Sequence, residues 1–143
     1  MTQATRSLPS ARVFTAILAA AAFTAAAVSV TPARAEAGDL SGAWSGSGAV
    51  VFNTGSKEKA RCKANFSKTG SSSYSMSATC ATASGKASQS AVLRKTGGNS
   101  YAGSFRNPEY NVTGSIRVTV SGNRQTVSMS SDAGTASLSL SRL

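Results

Sequence analysis

The chain has 143 residues, with fifteen Lys and Arg against five Asp and Glu, two cysteines and no histidine. Lacking histidine, it lacks the commonest general base and a common metal ligand. The excess of cations favours anionic partners such as phosphorylated head groups, acidic glycans or nucleic acid, or else serves solubility alone.

The first residues read as a leader. Arg6 and Arg12 give a basic start with no acid, and from Val13 to Val30 the chain is uncharged and mostly Ala, Val, Phe, Ile and Leu. Ala33-Arg34-Ala35 then forms a small-residue cleavage pattern before Glu36. That order predicts a signal peptide over residues 1–35, removed on export to the periplasm or outside. An uncleaved anchor is the alternative, because the apolar run is nearly long enough to span a bilayer. Its alanine content makes it weakly hydrophobic, however, and the cleavage pattern follows it directly. No cysteine precedes Cys62, so none is placed for lipid attachment.

The remainder, residues 36–143, suits a single domain. Twelve of the fifteen cations lie in it, since Arg6, Arg12 and Arg34 fall in the leader; against five acids this leaves a formal charge of about +7. A domain this small gains from a covalent staple. In an oxidising compartment an even pair of cysteines is more often a disulfide than a metal site or a nucleophile.

After Asp39 the sequence alternates with period two, the pattern of half-buried strands. In β-strands of this kind Ala60, Cys62, Ala64 and Phe66 alternate with Lys59, Arg61, Lys63 and Asn65, and Tyr74, Met76, Ala78 and Cys80 alternate with serine and threonine. Thr69-Gly70-Ser71-Ser72 between them has turn composition. One antiparallel register pairs Phe66 with Met76, Ala64 with Ala78 and Cys62 with Cys80, so the apolar face and the cysteines agree. A Cys62–Cys80 disulfide follows, with directly opposed cysteines closer than the preferred separation, or paired diagonally.

The same reasoning pairs Cys80 with Ala87 and Tyr74 with Leu93. It also folds the chain at Gly122-Asn123, pairing Val120 with Gln125 and Ile116 with Met129. For the first strand it predicts a register with Phe52 opposite Ala60. Asn107-Pro108-Glu109 and Asp132-Ala133-Gly134 supply further breaks. Eight strands are expected, at about 41–52, 58–67, 73–82, 86–95, 99–106, 110–121, 124–131 and 134–142. Sequential hairpins in an even number predict an all-β, antiparallel up-and-down barrel, with a two-sheet sandwich as the alternative.

The inward positions carry Trp44, Val50, Phe52, Phe66, Tyr74, Met76 and their counterparts on later strands, and the outward ones Ser, Thr, Lys and Arg. A polar outer face excludes a lipid-embedded barrel. Inward Gly46, Gly48, Gly103 and Gly114 either leave a cavity or let strands bend and close tightly; the many large inward side chains favour a filled core.

Leu40-Ser41-Gly42-Ala43-Trp44 resembles the G-x-W opening of lipocalin and avidin-type barrels. That resemblance implies a barrel with the tryptophan plugging one end and, by extension, carriage of a small ligand. Glu58-Lys59-Ala60-Arg61-Cys62 and Cys80-Ala81-Thr82-Ala83-Ser84-Gly85-Lys86 are similar to stretches of short exported alphaproteobacterial proteins of uncharacterised function. Ser84-Gly85 resembles the Ser-Gly loop of periplasmic lysozyme inhibitors. Their partner is cationic, and so is this domain, which argues against the same role here.

Catalysis is not expected. The five acids make no pair at a spacing that forces them together, and the serines have no base in view. No phosphate-binding glycine motif, metal site or cofactor is expected either. The clearest functional feature is a basic stripe, Lys57, Lys59, Arg61 and Lys63, on the outer face of one strand, with Lys86 and Arg94 contributed by neighbouring strands. Such a surface suits an anionic envelope component, a lipid head group or glycan, or a protein partner. Edge protection is the other reading of exposed lysines. Nucleic acid is disfavoured, because no exposed aromatics are interleaved for base stacking. The sequence thus points to a non-enzymatic exported barrel that binds through its basic surface. The alternative is a carrier using the barrel interior.

Overall fold

The computed structural model describes residues 27–30 and 39–143. The expected leader lies outside the described residues apart from 27–30, an exposed stretch without regular structure. From Gly42 onward the chain forms β1 (Gly42–Phe52), β2 (Lys57–Lys68), β3 (Ser73–Thr82), β4 (Gly85–Lys95), β5 (Ser100–Asn107), β6 (Val112–Ser121), β7 (Arg124–Ser131) and β8 (Gly134–Arg142). Every strand pairs antiparallel with the next, and β8 returns to β1, so the sheet is a closed eight-stranded barrel rather than a sandwich. Closure leaves no edge strand to be covered.

Alternation builds this barrel. β2 runs exposed–buried from Lys59 to Phe66, and β6 and β7 do the same, which sends the apolar set inward. Trp44, Leu93, Tyr101, Ile116, Val118 and Val120 are fully buried. The registers of β2–β3, β3–β4 and β6–β7 are those predicted: Cys62 faces Cys80, Tyr74 faces Leu93 and Val120 faces Gln125. Cys62 and Cys80 form a disulfide between directly opposed positions, with Cα atoms 4.1 Å apart.

The β1–β2 register differs from expectation. Ala60 lies opposite Gly48 rather than Phe52, a shift of four positions. The turn chemistry decides it. Gly55, at φ 89°, donates its N–H to Phe52 O at 2.9 Å, and Phe52 N–H bonds Ser56 O at 2.9 Å. This three-residue loop with a left-handed glycine closes the hairpin around Thr54, earlier than predicted. An even shift keeps side chains on their faces, so the inward set is unchanged. β6 likewise starts at Val112 rather than near 110. Asn111, at φ 51°, ends a loop in which Asn107 Oδ1 accepts from Tyr110 N–H at 3.3 Å. Asparagine is among the few residues that tolerate that conformation.

The inward glycines serve close approach. A Cβ on Gly46 would stand 2.0 Å from Ser139 O, and one on Gly48 would stand 1.9 Å from Ser137 O. Only a residue without a side chain lets β1 and β8 pass so near each other, bending the sheet at the point of closure.

Candidate functional site

The two ends of the barrel are built differently. At one end the segment before β1 and the end of β8 form a plug. Leu40 and Trp44 are fully buried, and Trp44 Nε1–H donates to Leu40 O at 3.0 Å. The Arg142 guanidinium covers the Trp44 ring and donates to Ser41 O and Asp39 O, both at 2.6 Å. Beneath it Tyr74 and Tyr101 meet edge to face with centroids 5.2 Å apart, and Tyr74 OH donates to Asp39 Oδ1 at 3.3 Å. The Ser41 backbone N–H, bonded to Asp39 Oδ1 at 3.0 Å, holds that carboxyl below its ordinary range. Burial pushes the Tyr74 phenol up to about 12. This end is closed.

The other end is open, and there the expectation of a filled core fails. A cavity of about 560 Å³ enters the barrel between the β1–β2, β3–β4, β5–β6 and β7–β8 connections. Its walls are Val50, Phe52, Phe105, Met129 and Leu138, with the Cys62–Cys80 disulfide on one side. Ala60, Ala87 and Ala136 also line it, and their small side chains leave space between the larger ones. Asn53, Thr82, Ser84, Asn107 and Tyr110 surround the mouth, and among the described residues no Lys, Arg, Asp or Glu lines the cavity. Tyr110 is 59% exposed, and its hydroxyl comes within 3.8 Å of where a Cβ on Gly85 would sit across the rim.

Two acids near the mouth, Glu58 and Glu109, fix its loops. Ser84 donates to Glu58 through both its hydroxyl and its backbone N–H, and Ser84 is the main reason the Glu58 carboxyl sits below its ordinary range. Glu109 Oε2 accepts from Ser88 N–H at 3.1 Å. One polar side chain stands deeper in the wall: Gln89 on β4, half-buried, whose Nε2 donates to Cys80 Sγ at 3.1 Å.

The basic stripe lies on the outer wall. Lys57, Lys59, Arg61 and Lys63 alternate along β2 and are all exposed. Arg61 faces Ala81, and Ala81 faces Lys86, which sets Lys86 in the same row two strands away. Arg61, Lys63 and Lys86 line a shallow groove together with Ser45, Ser47 and Thr79. Arg94 does not join them. It lies at the far end of β4 opposite Ser73, about 26 Å along the strand from Lys86.

Gln89, Tyr110 and Arg142 were not singled out from sequence. Gln89 carried a signal: the predicted register placed it opposite Ala78, at an inward position where a polar residue needs a reason. Arg142 carried none, because its partners lie a hundred residues away.

No protein-family model matches the chain, and no curated protein sequence matches it. Solved structures do resemble it. A redesigned β-barrel, mFAP1, bound to DFHBI, is 14% identical over 76% of this chain and 100% of its own, with a TM-score of 0.63. A de novo designed fluorescence-activating β-barrel is 13% identical over 75% and 96%, at 0.59. Rv2717c from M. tuberculosis is 15% identical over 73% and 92%, at 0.55. At these identities the similarity establishes the fold: a closed antiparallel β-barrel.

Proposed function

We propose that this protein binds a small molecule inside its barrel, and that it does so as an exported, non-catalytic carrier. The observation that supports this reading is the apolar cavity of about 560 Å³ open at one end. That volume is in the range that holds a drug-sized ligand. The plug at the other end makes the cavity a blind cup, which retains a ligand and does not conduct it. Two of the similar barrels carry a small ligand or a fluorescence-activating role in their descriptions, which fits a cup of this kind. The disulfide is consistent with an oxidising compartment, in keeping with export behind residues 1–35.

The test is titration of the purified protein with N-phenyl-1-naphthylamine, whose emission rises in apolar surroundings. Saturable one-to-one binding is expected, lost when Ala136→Phe fills the cavity. Absence of saturable binding to the folded protein overturns the reading.

A second reading rests on the groove lined by Arg61, Lys63 and Lys86. In it the outer wall docks an anionic envelope component, a lipid head group or glycan, by charge. The Lys59→Gln/Arg61→Gln/Lys63→Gln variant then loses salt-sensitive binding to vesicles containing anionic phospholipid. Unchanged binding removes this second reading without touching the first.

A further inference from the structure

We propose that the cavity selects an uncharged, largely apolar molecule bearing one hydrogen-bonding group, and that Gln89 recognises that group. The proposal rests on the ligand-binding reading and narrows it to a chemical class.

The absence of charge comes from the lining. Among the described residues, none that forms the cavity is a cation or a carboxylate. Lys57, Lys59 and Lys86 are exposed on the strands around it, and Glu58 and Glu109 are bonded to Ser84 and Ser88 at the rim. A carboxylate or ammonium carried into the cup would lose water and meet no counter-charge, which is strongly unfavourable. Long-chain acids and amines are therefore poor ligands, and ketones, alcohols and esters of similar size are good ones.

Of the polar side chains lining the cavity, Gln89 stands furthest from the connections, since Thr82, Ser131 and Thr135 lie at strand ends and Tyr110 in a loop. Asn53, Thr54, Ser84 and Asn107 lie on or beside the connections at the mouth, in reach of water. Gln89 stands four residues into β4 from Gly85, about 13 Å along the strand, opposite the buried Ala78. Its N–H partner is the Cys80 sulfur, a weak acceptor. A ligand oxygen replaces that bond with a stronger one, and the amide oxygen can accept from a hydroxyl. The side chain is held on a paired strand, so the group it reads is fixed in depth.

The experiment is displacement of N-phenyl-1-naphthylamine by 2-undecanone, undecane and decanoate at pH 8, on the wild type and on Gln89→Leu. The wild type is expected to bind 2-undecanone about fivefold tighter than undecane, the value of one neutral hydrogen bond, and at least tenfold tighter than decanoate. Gln89→Leu, or Gln89→Met should the first variant not fold, is expected to keep the probe and to lose the preference for ketone, whose carbonyl then gives up water without a donor in its place. A ketone preference that survives both substitutions overturns the role of Gln89. Decanoate binding as tightly as ketone overturns the exclusion of charge. Failure of the probe to bind the wild type overturns the cavity reading itself, and this proposal with it.

Discussion

The Arg142 guanidinium lies over the Trp44 indole, 4.2 Å from the ring centroid, and joins the last strand to the segment that precedes the first. The same group satisfies the carbonyls of Ser41 and Asp39, so one side chain closes the plug by stacking and by two charge-assisted hydrogen bonds. Arg142→Ala is expected to cost about 3 kcal/mol, the sum of a buried cation–π contact and hydrogen bonds from a charged donor. Arg142→Lys should recover less than half, because an ammonium has neither the flat face nor the fork. Urea unfolding followed by Trp44 emission reads both; an alanine variant as stable as the wild type contradicts the assigned role.

The Cys62–Cys80 bridge spans a sequence separation of 18. Constraining a loop of that size in the unfolded chain contributes about 3 kcal/mol. Cys62→Ala/Cys80→Ala should lower the urea midpoint accordingly, and the wild type under strong reductant should approach the variant. If reduction leaves the midpoint where it was, the bridge contributes no stability.

Gln125 is buried at an inward position of β7, and among the described residues neither its amide nitrogen nor its oxygen has a hydrogen-bond partner. Its sheet neighbours are Val120 and Leu140. Gln125→Met keeps the length and removes the unmet polar atoms, so it is expected to stabilise the barrel by about 1–2 kcal/mol. Differential scanning calorimetry gives the answer; a lower Tm would show that the amide is satisfied in solution.

The closed end also sets a pH dependence. The Ser41 N–H first, and the Tyr74 hydroxyl with it, hold the folded-state pKa of Asp39 below its unfolded value. Its contribution to stability is therefore present above the unfolded pKa, near 3.9, and is lost as pH falls through the folded value. For Tyr74 the sign reverses. A folded pKa raised to about 12 gives stability present below the ordinary value and lost as pH rises through the folded one. Asp39→Asn should flatten the acid limb of a stability–pH curve, and Tyr74→Phe the alkaline limb. Parallel curves for the wild type and either variant would contradict the assignment.

Much of the barrel was legible in the sequence because strand faces obey a strict local period. Cys62 and Cys80 fell opposite each other in the only register that also matched Phe66 to Met76, and the Gly122-Asn123 turn fixed β6 against β7. The β1–β2 register was not legible. A slip by an even number of residues leaves every face intact, so alternation is blind to it, and only the left-handed Gly55 decided where the turn closes.

Alternation by itself determined which side chains point inward and that the outer wall is polar and basic, since those follow from neighbours along one strand. How the inward side chains fill the space was decided by the tertiary structure. Whether Ala60, Ala87 and Ala136 gather at one end beside Gln89, and whether Arg142 reaches Trp44 at the other, depends on the closure of β8 on β1. Closure brings together residues far apart in sequence, and the volume left between them is a property of the whole ring of strands, with no signature in any one of them.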